Sequence, residues 1–307
     1  MARRNILLCF DAFGTLFTPK RPVPEQYMAV ARQCGLDGFS LDQLHASFKA
    51  AFKKELEAHP NYGKSSGMGA EKWWTNVING AFRPLVSASM DKELPPELAP
   101  RLLQRFSSDE GYALIPGVTP LLRSLRAHPY RFIVGVITNS DDRVPGVLSS
   151  LGLRVSPLRI RERAEAIPTA YSADGKRRYD IDFHCMSYDV GFAKPDRRIF
   201  DAAKAAAEKL VAGQESEGAS EGPWTKIYVG DDFDKDVKGA RDAGWNAVFV
   251  GSDTEIRDPA AKLMEKLGEA ESASLEDLFP VGRSEAPLMI QADSVQMFMR
   301  WLVKQQI

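Results

Sequence analysis

Four short clusters of polar residues carry whatever chemistry this sequence performs. Asp11 ends the apolar run Ile6 to Phe10 and is followed by Ala12-Phe13-Gly14-Thr15. Thr138-Asn139-Ser140 follows a second apolar run, Lys194 lies in Gly191-Phe192-Ala193-Lys194-Pro195-Asp196, and Asp231, Asp232, Asp234 and Asp236 crowd into six positions after Lys226 to Gly230. An aspartate held at a strand tip is rigid and solvent-reachable, and a glycine three residues on lets the chain turn tightly. Such a residue can attack or ligate, or simply cap a turn. Short hydroxyl and amide side chains beside a helix start can hold an anionic oxygen together with backbone N–H groups, although they also serve as ordinary N-caps. Lys194 offers a compact positive charge for a nucleophilic carboxylate and a transferring anion. The crowded aspartates repel one another and call for a counter-ion; hard oxygen ligands suit Mg2+. For Asp234 a place at a helix N-terminus is an equal account.

Strands must position these clusters. The runs ILLCF, RFIVGVI and KIYVG are short, end in polar residues and are bounded by helical patterns, as expected of parallel strands in βαβ units. In such sheets ligands gather at the carboxyl ends, so all the clusters point to one mouth. Between Phe17 and Tyr112 the apolar spacing changes to threes and fours, which predicts helices over PEQYMAVARQCG, SLDQLHASFKAAFKKELEAH, EKWWTNVINGAF and PPELAPRLLQRF. The expected architecture is α/β: a Rossmann-like parallel-sheet core over residues 1–16 and 113–307, with a helical cap inserted over 17–112. The cap either covers the mouth as a lid or packs on the sheet's flank. Residues 159–180 and 212–223 read as surface loops, the first with Arg159, Arg161, Arg163, Lys176, Arg177 and Arg178 solvated. The tail from Met289 reads as one amphipathic helix docking through Met297, Phe298, Trp301 and Leu302.

The totals narrow the partners. Lys plus Arg is 40 against 41 for Asp plus Glu, a formal net charge of -1, so no bulk basicity draws the chain to nucleic acid or an anionic membrane. A small molecule is the expected partner, and the oligomeric state is left open. Cys9, Cys34 and Cys185 have no metal-binding spacing and fit a reduced compartment, the cytoplasm with the nucleus also admitted. The N-terminal apolar stretch is too short to span a membrane and lacks a cleavage site.

The order of the four clusters resembles the haloacid dehalogenase superfamily, whose nucleophilic Asp, Ser/Thr, Lys and acidic metal motif occur in this sequence, and the likeness spans nearly the whole chain. His59-Pro60-Asn61-Tyr62-Gly63, Trp73-Trp74, Ile137 to Arg143 and Gly191 to Phe200 are similar to the group containing haloacid dehalogenase-like hydrolase domain-containing protein 3. The resemblance implies a Rossmann-like core, a helical cap after the first strand, and magnesium. It implies no substrate.

Phosphatases of that superfamily resemble one another in a second Asp two positions after the nucleophile, and here that position is Phe13. A benzyl side chain exchanges no protons, and a general acid/base is commonly worth about 10² to 10⁴-fold in rate. An aromatic residue there is similar to the 2-haloacid dehalogenases, yet those carry Tyr six positions after the Lys, where this chain has Phe200, and lack the acidic cluster. Three functions stay open: a magnesium-dependent phosphatase-type hydrolase acting on a small phosphorylated substrate, a non-catalytic or weakly catalytic binder of a phosphorylated ligand or partner, and a dehalogenase-like hydrolase. On the first, Asp11 attacks phosphorus; Asp11, the Phe13 carbonyl and Asp231 hold the metal, with Asp236 behind them and Asp232 as its substitute; Thr138 and Asn139 hold phosphoryl oxygens; and Lys194 stabilises developing charge. Gly14, Thr15 and Ser140 complete the pocket, Thr15 by bracing the nucleophile loop. His45 or His59 could replace the missing acid, and Tyr62, Trp73 and Trp74 are the expected specificity residues.

Overall fold

The computed structural model describes residues 5–87, 93–125, 128, 130–160, 170, 177–212, 224–251, 264–267, 279 and 287–304. Its strands are β1 (Asn5–Phe10), β2 (Phe17–Pro19), β3 (Tyr112–Leu114), β4 (Arg131–Thr138), β5 (Phe183–Met186), β6 (Trp224–Gly230), β7 (Asn246–Val250), β8 (Glu265–Lys266) and β9 (Met289–Ala292). Seven of them form one sheet in the order β5-β4-β1-β6-β7-β9-β8, and β2 pairs with β3. The strand pairings of the large sheet are parallel. All six residues of β1 are buried, the outcome expected when a strand is apolar on both faces and covered on both. The register sets Phe10 opposite both Val136 and Val229, so the residues that follow β1, β4 and β6 emerge at the same end of the sheet.

The chain divides into two compact units. The first comprises Met1–Thr18, Leu114–Ser140 and Gly152–Ile307, and contains the large sheet. On one of its faces the helix Arg197–Ala212 packs Ile199, Phe200, Ala203 and Ala207 with Cys9, Ile137, Cys185, Tyr228 and Trp245 into a single core. The second unit comprises Pro19–Ala113 and takes in Asp141–Leu151 as well. It is helical: α1 (Val23–Gln33), α2 (Leu41–Ala58), the single turn α3 (Pro60–Gly63), α4 (Ala70–Ser87) and α5 (Leu98–Arg105). Ser40 and Gln43 close a reciprocal capping box that fixes the start of α2. Tyr27, Phe48, Phe52, Trp73, Trp74 and Phe82 interlock as the aromatic filling between these helices.

Several expectations change. The tail is not one helix: Met289–Ala292 is strand β9, fully buried, and the helix starts only at Val295 and runs to Lys304. Two of the six arginines and lysines read as solvated make internal ion pairs instead. Arg159 pairs through two bonds of 2.9 and 2.7 Å with Asp189, and the buried Arg177 pairs with Asp182 at 2.8 Å. Arg178 is exposed as expected, while Arg161, Arg163, Lys176 and residues 213–223 lie outside the described residues. Cys9, Cys34 and Cys185 are free and buried. Among the described residues no helix is long and apolar enough to cross a membrane.

Candidate active site

The first unit brings the four clusters together. Asp11 leaves β1 with its backbone N–H donated to the Val229 carbonyl at 2.9 Å, which ties it to β6 just before Asp231. Its Oδ1 accepts from the following Ala12 N–H at 2.8 Å and from Lys194 Nζ at 2.9 Å. Those two bonds fix the plane of the carboxylate and leave Oδ2 for a ligand. Carboxylate oxygens of Asp11, Asp231 and Asp236 lie within 4.8 Å of one another. Close approach depends on two glycines. A Cβ on Gly14, whose φ is +78°, would sit 2.1 Å from Asp231 Oδ2, and a Cβ on Gly230 would sit 2.3 Å from Asp236 Oδ2. Gly14 is therefore needed for proximity as well as for the turn.

Lys194 is buried, with Nζ 2.7 Å from Asp236 Oδ1 as well as 2.9 Å from Asp11. Burial alone would favour its neutral form, but Asp11 and Asp236 outweigh that and hold its pKa above the ordinary lysine value. One ammonium between two carboxylates, with Asp231 beside them, leaves a surplus of negative charge. Its effect shows at Asp231, whose carboxyl is pushed up by burial and by the neighbouring Asp11 charge, against the hydrogen bond that Thr15 Oγ1 donates at 3.0 Å. Three hard oxygen donors with one cation among them fit a divalent ion such as Mg2+.

The remaining predicted residues divide by what they touch. Thr138 and Ser140 are buried, and the Ser140 carbonyl accepts the Tyr188 N–H at 3.1 Å. The Asn139 side chain is engaged at both ends with the Lys194 backbone: Oδ1 accepts from its N–H at 2.7 Å and Nδ2 donates to its carbonyl at 2.9 Å. Asn139 thus clamps the lysine loop. Thr15 reaches across to Asp231 and so links the nucleophile loop to the acidic one. Asp232 caps the π-helical turn Phe233–Lys238 by accepting from the Lys235 N–H at 2.9 Å, and pairs with the Lys235 side chain, while its own N–H donates to Asp236 Oδ2 at 3.0 Å. It supports Asp236 rather than replacing it. Phe13 is half-buried with its ring edge-on to Phe17, centroids 4.6 Å apart.

Sequence reasoning missed Tyr228. It lies three residues before Asp231 in a run that reads as plain core, and its hydroxyl touches Lys194 at 2.8 Å. In the helical unit Trp73 is fully buried, donating Nε1–H to the His59 carbonyl at 2.9 Å, so it is core and no specificity residue. Trp74 and Tyr62 stay half-buried. His45 is exposed on α2.

Comparison with known proteins places the chain in a family. A family model for haloacid dehalogenase-like hydrolases matches residues 7–244. An uncharacterised hydrolase of Schizosaccharomyces pombe is 34% identical over 231 residues, 75% of this chain and 84% of that protein. Haloacid dehalogenase-like hydrolase domain-containing protein 3 of Homo sapiens is 29% identical over 197 residues, 64% of this chain and 67% of that one. Among solved structures, a 2-haloacid dehalogenase from Pseudomonas syringae superposes with a TM-score of 0.51 at 18% identity, covering 98% of this chain and 99% of that chain, and a defluorinating L-2-haloacid dehalogenase reaches 0.53 at 14%, covering 98% and 99%. Those two establish the fold alone. With more than three quarters of its length under one family model, the chain belongs to the haloacid dehalogenase-like hydrolases.

Proposed function

We propose that this hydrolase is a magnesium-dependent phosphatase-type enzyme that cleaves a small phosphomonoester through an aspartyl-phosphate on Asp11. The observation that carries the reading is the triangle of Asp11, Asp231 and Asp236 oxygens within 4.8 Å, with Lys194 on two of its corners. An acidic cluster of that kind has no use in halide displacement from carbon, and Phe200 stands where the dehalogenase pattern has Tyr.

Asp11 Oδ2 attacks phosphorus in line, the P–O ester bond breaks, and its electron pair leaves on the alcohol oxygen. Asp11 is oriented for the attack because Lys194 and the Ala12 N–H hold Oδ1. Asp11, Asp231, Asp236 and the Phe13 carbonyl would hold Mg2+, and the ion would supply positive charge to offset the anions gathered there. Thr138 lines the phosphoryl side, and Asn139 acts through the lysine loop that it clamps. The alcohol takes its proton from water or substrate, since Phe13 has none to give, so turnover is slow by the standard of enzymes with a second carboxylate. Water then hydrolyses the aspartyl-phosphate and restores Asp11. On this reading the inserted helices, residues 17–112, act as the cap that selects the leaving group.

The test is phosphate release from a panel of phosphomonoesters with Mg2+, compared with Asp11→Asn. Turnover in the wild type that is lost in the variant supports the reading; no release above the variant on any substrate retires it. Phe13→Asp separates slow catalysis from ligand binding without turnover. If the restored carboxylate creates activity in an otherwise inert protein, the wild type is a phospho-ligand binder with a preserved site.

A further inference from the structure

A lysine ammonium has three N–H groups and accepts nothing. In this site all three have partners: Asp11 Oδ1 at 2.9 Å, Asp236 Oδ1 at 2.7 Å and Tyr228 Oη at 2.8 Å. The tyrosine is the neutral member of that set, and its direction is fixed from behind. Its single hydroxyl hydrogen goes to the Ile137 carbonyl at 2.7 Å; the alternative acceptor, Asp236 Oδ1 at 3.4 Å, is too far to compete. With that hydrogen engaged, the oxygen presents a lone pair to Lys194. Tyr228 is fully buried and its hydroxyl is anchored on the Ile137 carbonyl, so neither ring nor hydroxyl is free to turn away. One hydroxyl therefore joins three of the four clusters: it stands on β6 before Asp231, grips the residue before Thr138, and holds Lys194.

We propose that Tyr228 is a positioning residue which orients the Lys194 ammonium so that one N–H stays on Asp11; the proposal deepens the phosphatase reading above and, as regards the reaction, rests on it. Two charged partners alone leave the ammonium able to tilt along the line between Asp11 and Asp236. The third partner removes that freedom, and the nucleophile carboxylate is held in turn. Among the described residues Phe200 occupies the place six positions after Lys194 and has no hydroxyl, and the hydroxyl that reaches the lysine comes from the neighbouring strand instead.

The experiment uses the full chain in three forms, wild type, Tyr228→Phe and Phe200→Leu, the last disturbing the same packing without touching the lysine. The first readout needs no turnover: hydrogen exchange of the 15N-labelled Lys194 ammonium by NMR, its signal assigned by its loss in Lys194→Met. We expect exchange in Tyr228→Phe to speed by at least about tenfold, with little change in Phe200→Leu. The second is steady-state phosphate release, where Tyr228→Phe should lower kcat on the order of tenfold with KM nearly unchanged, while Phe200→Leu lowers Tm and leaves kcat intact. Unchanged ammonium exchange in Tyr228→Phe overturns the proposal, as does a fall in kcat that Phe200→Leu reproduces. If the wild type releases no phosphate above Asp11→Asn, the reaction reading fails by itself, and the ammonium exchange still decides the role of Tyr228.

Discussion

Each unit buries a carboxylate against a cation, and the two arrangements are opposites. In the helical unit Asp141 accepts four hydrogen bonds: Trp74 Nε1 at 2.7 Å, Arg143 Nε at 2.9 Å, Arg143 Nη2 at 2.8 Å and the Arg143 backbone N–H at 3.1 Å. Arg143 in turn lies over the Trp74 ring, 4.7 Å from its centroid. Charges match one to one and every oxygen is occupied. Burial would raise the Asp141 carboxyl, but the arginine and its hydrogen bonds outweigh that and hold the pKa below the ordinary value. In the sheet unit, Lys194 is shared by two carboxylates with a third alongside, and the Asp231 carboxyl is held above the ordinary value. A neutral, saturated pair locks structure, whereas a site kept short of positive charge is built to receive some.

The contrast breaks most sharply at the saturated pair. Asp141→Ala strands Arg143, which is mostly buried, and should lower the urea unfolding free energy by about 3–5 kcal/mol. A loss below ~1 kcal/mol would mean that the pair is already solvated. At the under-neutralised site the same kind of change should act in the other direction: in EDTA, Asp231→Asn unfolds at an equal or higher urea concentration than wild type, because it relieves repulsion. Mg2+ at a hundredfold excess over Kd should stabilise the wild type by about 2.7 kcal/mol and leave Asp231→Asn, or Gly14→Ala, unmoved. Equal stabilisation of all three would show the ion to be bound elsewhere. Trp74→Phe removes one hydrogen bond to a buried charge and weakens the cation–π contact, with an expected loss of about 1–3 kcal/mol in urea unfolding.

The finest test is pH. Since the folded state favours ionised Asp141, its contribution is complete above the unfolded carboxylate value of about 3.9 and is lost as pH falls through the lower folded value. The stability gap between wild type and Asp141→Asn should accordingly be flat from neutral pH down to roughly 5 and close below about 4. A gap that closes between pH 7 and 5 would assign the effect to another group.

What was legible in the chain follows from distance along it. Strands β1, β4 and β6 announce themselves because each is an apolar run ending in chemistry, and Asp11, Lys194, Asp231 and Asp236 meet as their order implied. Strand β9 hid because Met289 and Ile290 lead directly into residues spaced in threes and fours, and a four-residue buried strand cannot be told from a helix start by periodicity. The Asn139 clamp on Lys194 and the Tyr228 hydroxyl link positions 55 and 34 residues apart, and no local pattern marks either. Asp141 holds Trp74, 67 residues earlier in the chain, and no local pattern marks that pair either.

The fully occupied ammonium of Lys194 has a corollary for selectivity. An inert anion such as sulfate arrives to find no N–H unclaimed on that cation and must evict a carboxylate or the Tyr228 hydroxyl to gain one. A guest that forms a covalent bond to Asp11 through Oδ2 discharges that carboxylate and weakens the hold of Oδ1 on the N–H in the same event. On the proposed reaction the pocket would therefore disfavour bystander anions abundant in the surrounding solution and favour a visitor able to react.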